Sequence, residues 1–158
     1  LKLNPNGHIP TLDDGGTIVW ESMAINLYLA MKYGKGLWPK EVADQGHAIQ
    51  WSFWVMTEVE PPLLAAMMNR AFLPPDQRNP ALADEGEQKL QKPLKVLNDH
   101  LAGRRHVLGD AYSVADVNLA SMLAWAPFAK VDLAPFGAVT RWLAECSARP
   151  AAKKALGR

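Results

Sequence analysis

Strand-forming material in this 158-residue chain is confined to the first twenty residues, and everything beyond Lys40 carries helical patterning only. The two β-like runs are Ile9 to Leu12 and Thr17 to Trp20, separated by Asp13-Asp14-Gly15-Gly16. Short apolar runs around an Asp/Gly cluster predict an antiparallel hairpin. Ahead of it, Asn4-Pro5-Asn6-Gly7 is a turn signal, since Pro5 presets φ and Asn and Gly suit the positions that follow. A hairpin followed by helices alone makes the chain α+β.

The helices follow from periodicity and end signals. Glu21-Ser22 opens an apolar segment that closes at Gly34, which predicts a helix with both ends marked. Residues 35–40, with Gly36 and Pro39, form a linker. Residues 41–72 carry a long helical pattern broken or kinked at Pro61-Pro62. Residues 81–103 place Leu90, Leu94, Leu97 and Leu101 on one face. Further helices are expected over 114–126 and 136–147, with a short one after Pro150. Around Ile49, Trp51, Phe53, Trp54, Val55 and Met56 apolar side chains lie on more than one face, so this helix is expected to be buried on all sides.

Composition narrows the function classes. The chain is 49% hydrophobic and 21% charged, with a net charge of +1, which suits a globular core. Basic pairs such as Arg104-Arg105 and Lys153-Lys154 are too short for a nucleic-acid stripe. A lone Cys146 excludes an internal disulfide and fits a reducing, cytoplasmic setting. No apolar run reaches 18 residues, so no membrane span is expected. The first residues run straight into a turn and strand without an initiator Met or a leader pattern, so the chain is expected to begin mid-fold.

Three groups of residues carry the functional argument. Pro10 opens a strand without an amide hydrogen, so it sits at an edge or strand start, and its peptide bond is either trans or cis. A cis bond would turn the backbone of Ile9 outward, free to pair with an extended peptide. Ser22 begins a helix, whose free N–H groups and positive dipole end suit a carboxylate, while the Glu21 carboxylate could take an ammonium. Together they would complement a zwitterionic amino-acid head; the alternative is a plain serine N-cap beside an exposed glutamate. Ser113 and Asp116 form a capping box, with Tyr112 and Val117 as its hydrophobic staple. A cap of this kind acts on stability, and its removal is expected to cost about 0.5–2 kcal/mol.

The string Asn4-Pro5-x-Gly7-x-Ile9-Pro10-x-Leu12, the hairpin and Glu21-Ser22 together resemble the second half of a glutathione transferase N-terminal domain. Gly109-Asp110-Ala111-Tyr112-Ser113-Val114-Ala115-Asp116 resembles that family's C-terminal folding motif. The resemblance extends over the whole chain and is most specific in its first thirty or so residues. It implies a thioredoxin-like remnant of hairpin plus helix over 1–34, the linker 35–40, and an all-helical domain over 41–158. It also implies that Pro10 is cis, that Ile9 pairs with the cysteinyl part of glutathione, and that Glu21 and Ser22 hold the γ-glutamyl end. His8 stands where the family often has Lys or Gln reaching the glycine carboxylate, and a histidine can donate there.

Dimerisation through the 41–72 region is a further implication, giving a homodimer. Met67, Met68 and Trp125 are candidate walls for a hydrophobic electrophile, since soft side chains suit varied apolar ligands, and core packing accounts for them equally well. Cys146, His47, His100 and His106 show no metal-ligand spacing, so no metal is expected. Conjugation needs a group that lowers the glutathione thiol pKa. In the family this is a Tyr, Ser or Cys in the first strand-to-helix turn, and no residue here matches it. The expected activity is therefore glutathione conjugation to hydrophobic electrophiles, with the catalytic residue upstream of this chain. A non-catalytic glutathione-binding or scaffold protein on the same fold is the rival, as is a glutathione-dependent reductase or isomerase.

Overall fold

A computed structural model describes residues 2–155; residue 1 and residues 156–158, the outer ends of the two units assigned from sequence, lie outside the described residues. Strands β1 (Thr11–Asp14) and β2 (Thr17–Trp20) pair antiparallel, with Thr11 opposite Trp20 and Asp14 opposite Thr17. The strand begins two residues later than its apolar run because Pro10 has no N–H to give the ladder. The turn is also tighter than the expected four residues. Gly15 and Gly16 alone make it, with φ of +61° and +92°, the conformation whose twist matches a right-handed hairpin. Asp13 Oδ1 accepts the Gly16 N–H at 2.9 Å and closes the loop.

Helix α1 (Ser22–Tyr33) ends at Gly34 and packs against the hairpin on one side and the helical part on the other. The helical part comprises α2 (Val42–Trp54), α3 (Glu60–Met67), α4 (Pro80–Leu101), α5 (Val114–Leu123), α6 (Ala126–Ala129), α7 (Gly137–Ala148) and α8 (Pro150–Ala155). The break expected at Pro61-Pro62 is not there. A wider π-helical stretch, Val55–Val59, joins α2 to α3, with Glu60 N–H donating to Val55 O. The prolines then fall in the first turn of α3, where their missing N–H groups are least felt.

The core lies between α4 and its neighbours α3 and α7. Leu90, Leu94, Leu97 and Leu101 are all buried, each worth about 1.5–3 kcal/mol over exposure. Gly86 allows α3 and α4 to approach closely, since a Cβ there would meet Pro62 O at 2.6 Å. Helix α2 departs from the expectation of burial on all sides. Ala48, Trp51 and Ser52, with Val55 just beyond the helix, turn inward, while Ile49 is 40% and Phe53 66% exposed. The two exposed residues are four apart, so they share one outward strip. Among the described residues no helix is long and apolar enough to cross a membrane.

Candidate functional site

The hairpin register assembles the site. Thr11 and Trp20 form the last pair of the ribbon, so Pro10 and Glu21 leave from the same end of it. The backbone of Ile9 and the start of α1 are thereby brought to one edge, although twelve residues separate them in the sequence.

The Ile9-Pro10 peptide bond is cis, and Ile9 is 94% exposed. Among the described residues its N–H and C=O meet no backbone partner, which leaves one donor and one acceptor for an extended peptide. Buried Asn4 holds the approach to this bond. Its side-chain N–H donates to His8 O at 2.8 Å, its Oδ1 accepts the Asn6 N–H at 2.9 Å, and its carbonyl accepts the Gly7 N–H at 3.0 Å. His8 and Ile9 line an open depression of about 420 Å³ with Lys2, Leu3, Asn4, Gly7 and Thr11. Lys2 adds a cation beside His8 that sequence reading had not singled out.

At the other half, Glu21 is the residue before α1 and has φ 73° and ψ 120°, a left-handed conformation seldom taken by a residue with a side chain. Its carbonyl accepts the Ile25 N–H at 2.9 Å, and no side chain caps the helix start. The plain serine N-cap is therefore not what forms: Ser22 is already the first helical residue. The first-turn N–H groups of Ser22, Met23 and Ala24 precede the first intrahelical bond and remain available to an anion. Glu60, at the start of α3, has its carboxyl raised above the ordinary range, by burial first and by the charge of Glu21 second. Two carboxylates thus share this region, an arrangement that an ammonium would relieve. Glu60 carried no sequence signal, because it lies far along the chain from Glu21.

The remaining candidates are distributed elsewhere. Met67 is buried in the core, while Met68 and Trp125 are half-buried on the neighbouring elements that follow α3 and α5. Tyr28 and Tyr33 donate their hydroxyls to Asp14 at 2.7 and 2.9 Å, at the turn end of the hairpin, away from Pro10 and Glu21. Tyr112 lies edge-on to His106, under the Arg149 guanidinium at 3.7 Å. Ser113 and Asp116 close the capping box. The fold also gathers His106, Asp116 and Cys146, whose ligand atoms lie within 4.8 Å of one another, all buried. Asp116 already accepts from Val107 N–H, Ser113 N–H, Ser113 O–H and Trp142 Nε1–H. Burial pushes the Cys146 thiol up to about 12, so it keeps its proton at neutral pH. No sequence spacing could have revealed this grouping. His100 is likewise engaged, its Nε2 with Val107 O at 2.7 Å and its Nδ1 with Arg104 at 3.0 Å.

Two family models match this arrangement. The one described as the glutathione S-transferase C-terminal domain covers residues 48–150, and the one described as the N-terminal domain covers residues 1–31. The chain belongs to the glutathione S-transferase family. Among curated relatives of this transferase-family chain, GstB of Escherichia coli K12 is 30% identical over 157 residues, spanning 98% of this chain and 76% of GstB. Glutathione S-transferase F9 of Arabidopsis thaliana is 33% identical over 175 residues, spanning the whole chain and 77% of that protein. The solved glutathione transferase URE2P5 from Phanerochaete chrysosporium superposes with a TM-score of 0.90 at 30% identity, over 99% of this chain and 74% of that one. A theta-class enzyme from Xanthomonas axonopodis pv. citri, solved with glutathione bound, gives 0.88 at 27% identity, over 97% and 74%. The chain thus spans about three quarters of these transferases, as a thioredoxin-like remnant followed by the helical C-terminal domain.

Proposed function

We propose that this chain binds glutathione along the edge between Ile9 and Ser22, and that it serves conjugation of the glutathione thiol to a hydrophobic electrophile. The observation that carries the reading is the convergence of two complementary halves at one end of the hairpin. The free N–H and C=O of Ile9 suit the peptide backbone of the cysteinyl residue. The uncapped α1 N-terminus and the Ser22 hydroxyl suit the γ-glutamyl carboxylate, and the carboxylates of Glu21 and Glu60 suit its ammonium. His8 and Lys2 supply cationic or donor groups for the glycine carboxylate. Relatives solved with glutathione or a glutathionyl product bound support the ligand class.

The hydroxyls of Tyr28 and Tyr33 are bound to Asp14, and the buried thiol of Cys146 holds its proton, so thiol activation is assigned to a residue outside these 158. Met68 and Trp125 are proposed to face the electrophile, with Met67 packed behind them. The exposed strip of Ile49 and Phe53 is proposed as a homodimer contact, and the reducing cytoplasm as the working compartment.

Calorimetric titration of glutathione into this chain and its Ser22→Ala variant tests the reading. Binding that weakens about tenfold on substitution supports it, the loss expected for a hydrogen bond to a charged group. Equal affinity of the two proteins would move the γ-glutamyl site elsewhere, and the absence of any binding would favour the scaffold alternative.

A further inference from the structure

A continuous line of hydrogen bonds crosses from the ligand-binding helix α1 into the helical domain. Asn26 Nδ2–H donates to Asn118 Oδ1 at 2.8 Å, Asn118 Nδ2–H donates to Ser52 Oγ at 2.7 Å, and Ser52 O–H donates to Ala48 O at 2.7 Å. Asn118 on α5 has no exposure and Ser52 on α2 has 1%. Such a line behaves differently from the apolar contacts around it. Aliphatic side chains tolerate a small rotation or slide of one helix over another, whereas a buried amide is satisfied in one arrangement and left unpaired in the next.

Position makes this line matter for the ligand. Asn26 lies four residues after Ser22, so both side chains project from the same side of α1, one turn apart. The start of α1 has no side-chain cap to hold it. Beyond its other end, Val114 N–H at the head of α5 donates to Leu37 O at 3.0 Å. Helix α5 therefore grips α1 in its first half and the chain just after it.

We propose that Asn118 is a positioning residue for glutathione. Through Asn26 it sets the rotation and axial position of α1, and so the direction of the Ser22 hydroxyl and the first-turn N–H groups. The inference rests on the reading of the Ile9–Ser22 edge as the glutathione site. Helix α5 thus takes part in glutathione binding without touching the ligand.

The test compares the full chain with Asn118→Leu, Asn26→Leu, the double variant and Ser22→Ala. Glutathione affinity is measured by calorimetry well below every unfolding transition. Each leucine variant is expected to weaken binding about fivefold to tenfold, with the double variant no worse than either single one. Amide exchange should quicken in residues 22–33 and stay unchanged in α4 and α7. Should Asn118→Leu fail to fold, Asn26→Leu, at a half-buried position, carries the comparison. Leucine variants that melt earlier but bind as wild type does, beside a weakened Ser22→Ala, would overturn the positioning role and leave the site reading intact. A Ser22→Ala variant that binds normally, or a wild type that binds no glutathione, would overturn the site reading and this inference with it.

Discussion

Trp142 donates its indole N–H to Asp116 Oδ1 at 2.8 Å, tying the middle of α7 to the first turn of α5 through a carboxylate with no solvent exposure. The same oxygen accepts the Val107 N–H at 2.9 Å, and Oδ2 accepts both the N–H and the O–H of Ser113. Asp116 is therefore far more than a helix cap. Whichever way an amide is placed in Asp116→Asn, its NH₂ faces a backbone N–H that cannot reverse its role. The expected cost is about 3 kcal/mol, against about 1 kcal/mol for Ser113→Ala, so the two box members are unequal. Urea unfolding of both variants checks this, and equal losses would reduce Asp116 to an ordinary cap.

Glu21 predicts an opposition between stability and binding. Its φ of 73° is a backbone state that glycine occupies freely, and a residue with a side chain pays about 1–3 kcal/mol to hold it. Glu21→Gly is expected to raise the melting temperature by about 2–4 °C while weakening glutathione binding. Glu21→Gln, which keeps the backbone strain and loses the charge, should lose affinity and gain in stability only what relief of the repulsion with Glu60 returns, less than Glu21→Gly gains. Calorimetric melting beside glutathione titration separates the two effects.

Acid sensitivity is expected at the turn end of the hairpin. The Lys32 ammonium first, then the hydroxyls of Tyr28 and Tyr33, hold the Asp14 carboxyl at about 2, below its ordinary 3.8. A folded-state value below the unfolded one stabilises fully above about pH 4, and that contribution disappears as pH falls through about 2. The urea midpoints of wild type and Asp14→Asn should thus differ most above pH 4 and converge between pH 4 and 2. Because Lys32 is half-exposed, added salt should narrow the difference. A gap that persists at pH 2 would assign the stabilisation to something other than the Asp14 charge.

Much of the architecture was legible because its signals are local. The α4 leucine stripe, the Ser113–Asp116 box and the close of α1 at Gly34 each depend on residues within a turn or two of one another. Where local reading erred, a neighbouring constraint prevailed. The hairpin tightened around Gly15-Gly16 because two residues with positive φ complete the turn unaided. The helix passed Pro61-Pro62 because a π-helical stretch moved the missing N–H groups into a helix start.

Residue types alone determined which chemistry the Ile9-Pro10 and Glu21-Ser22 segments could offer: an edge without one amide hydrogen, and a helix start open to an anion. Whether those segments meet was a matter of strand register, which side-chain alternation and the turn decide together. The tertiary structure alone decided that Glu60 approaches Glu21, that Trp142 completes Asp116, and that Asn26 reaches Asn118 across 92 residues of chain. Hydrogen bonds and charges act over a few ångströms of space, whereas sequence patterns record only spacing along one element.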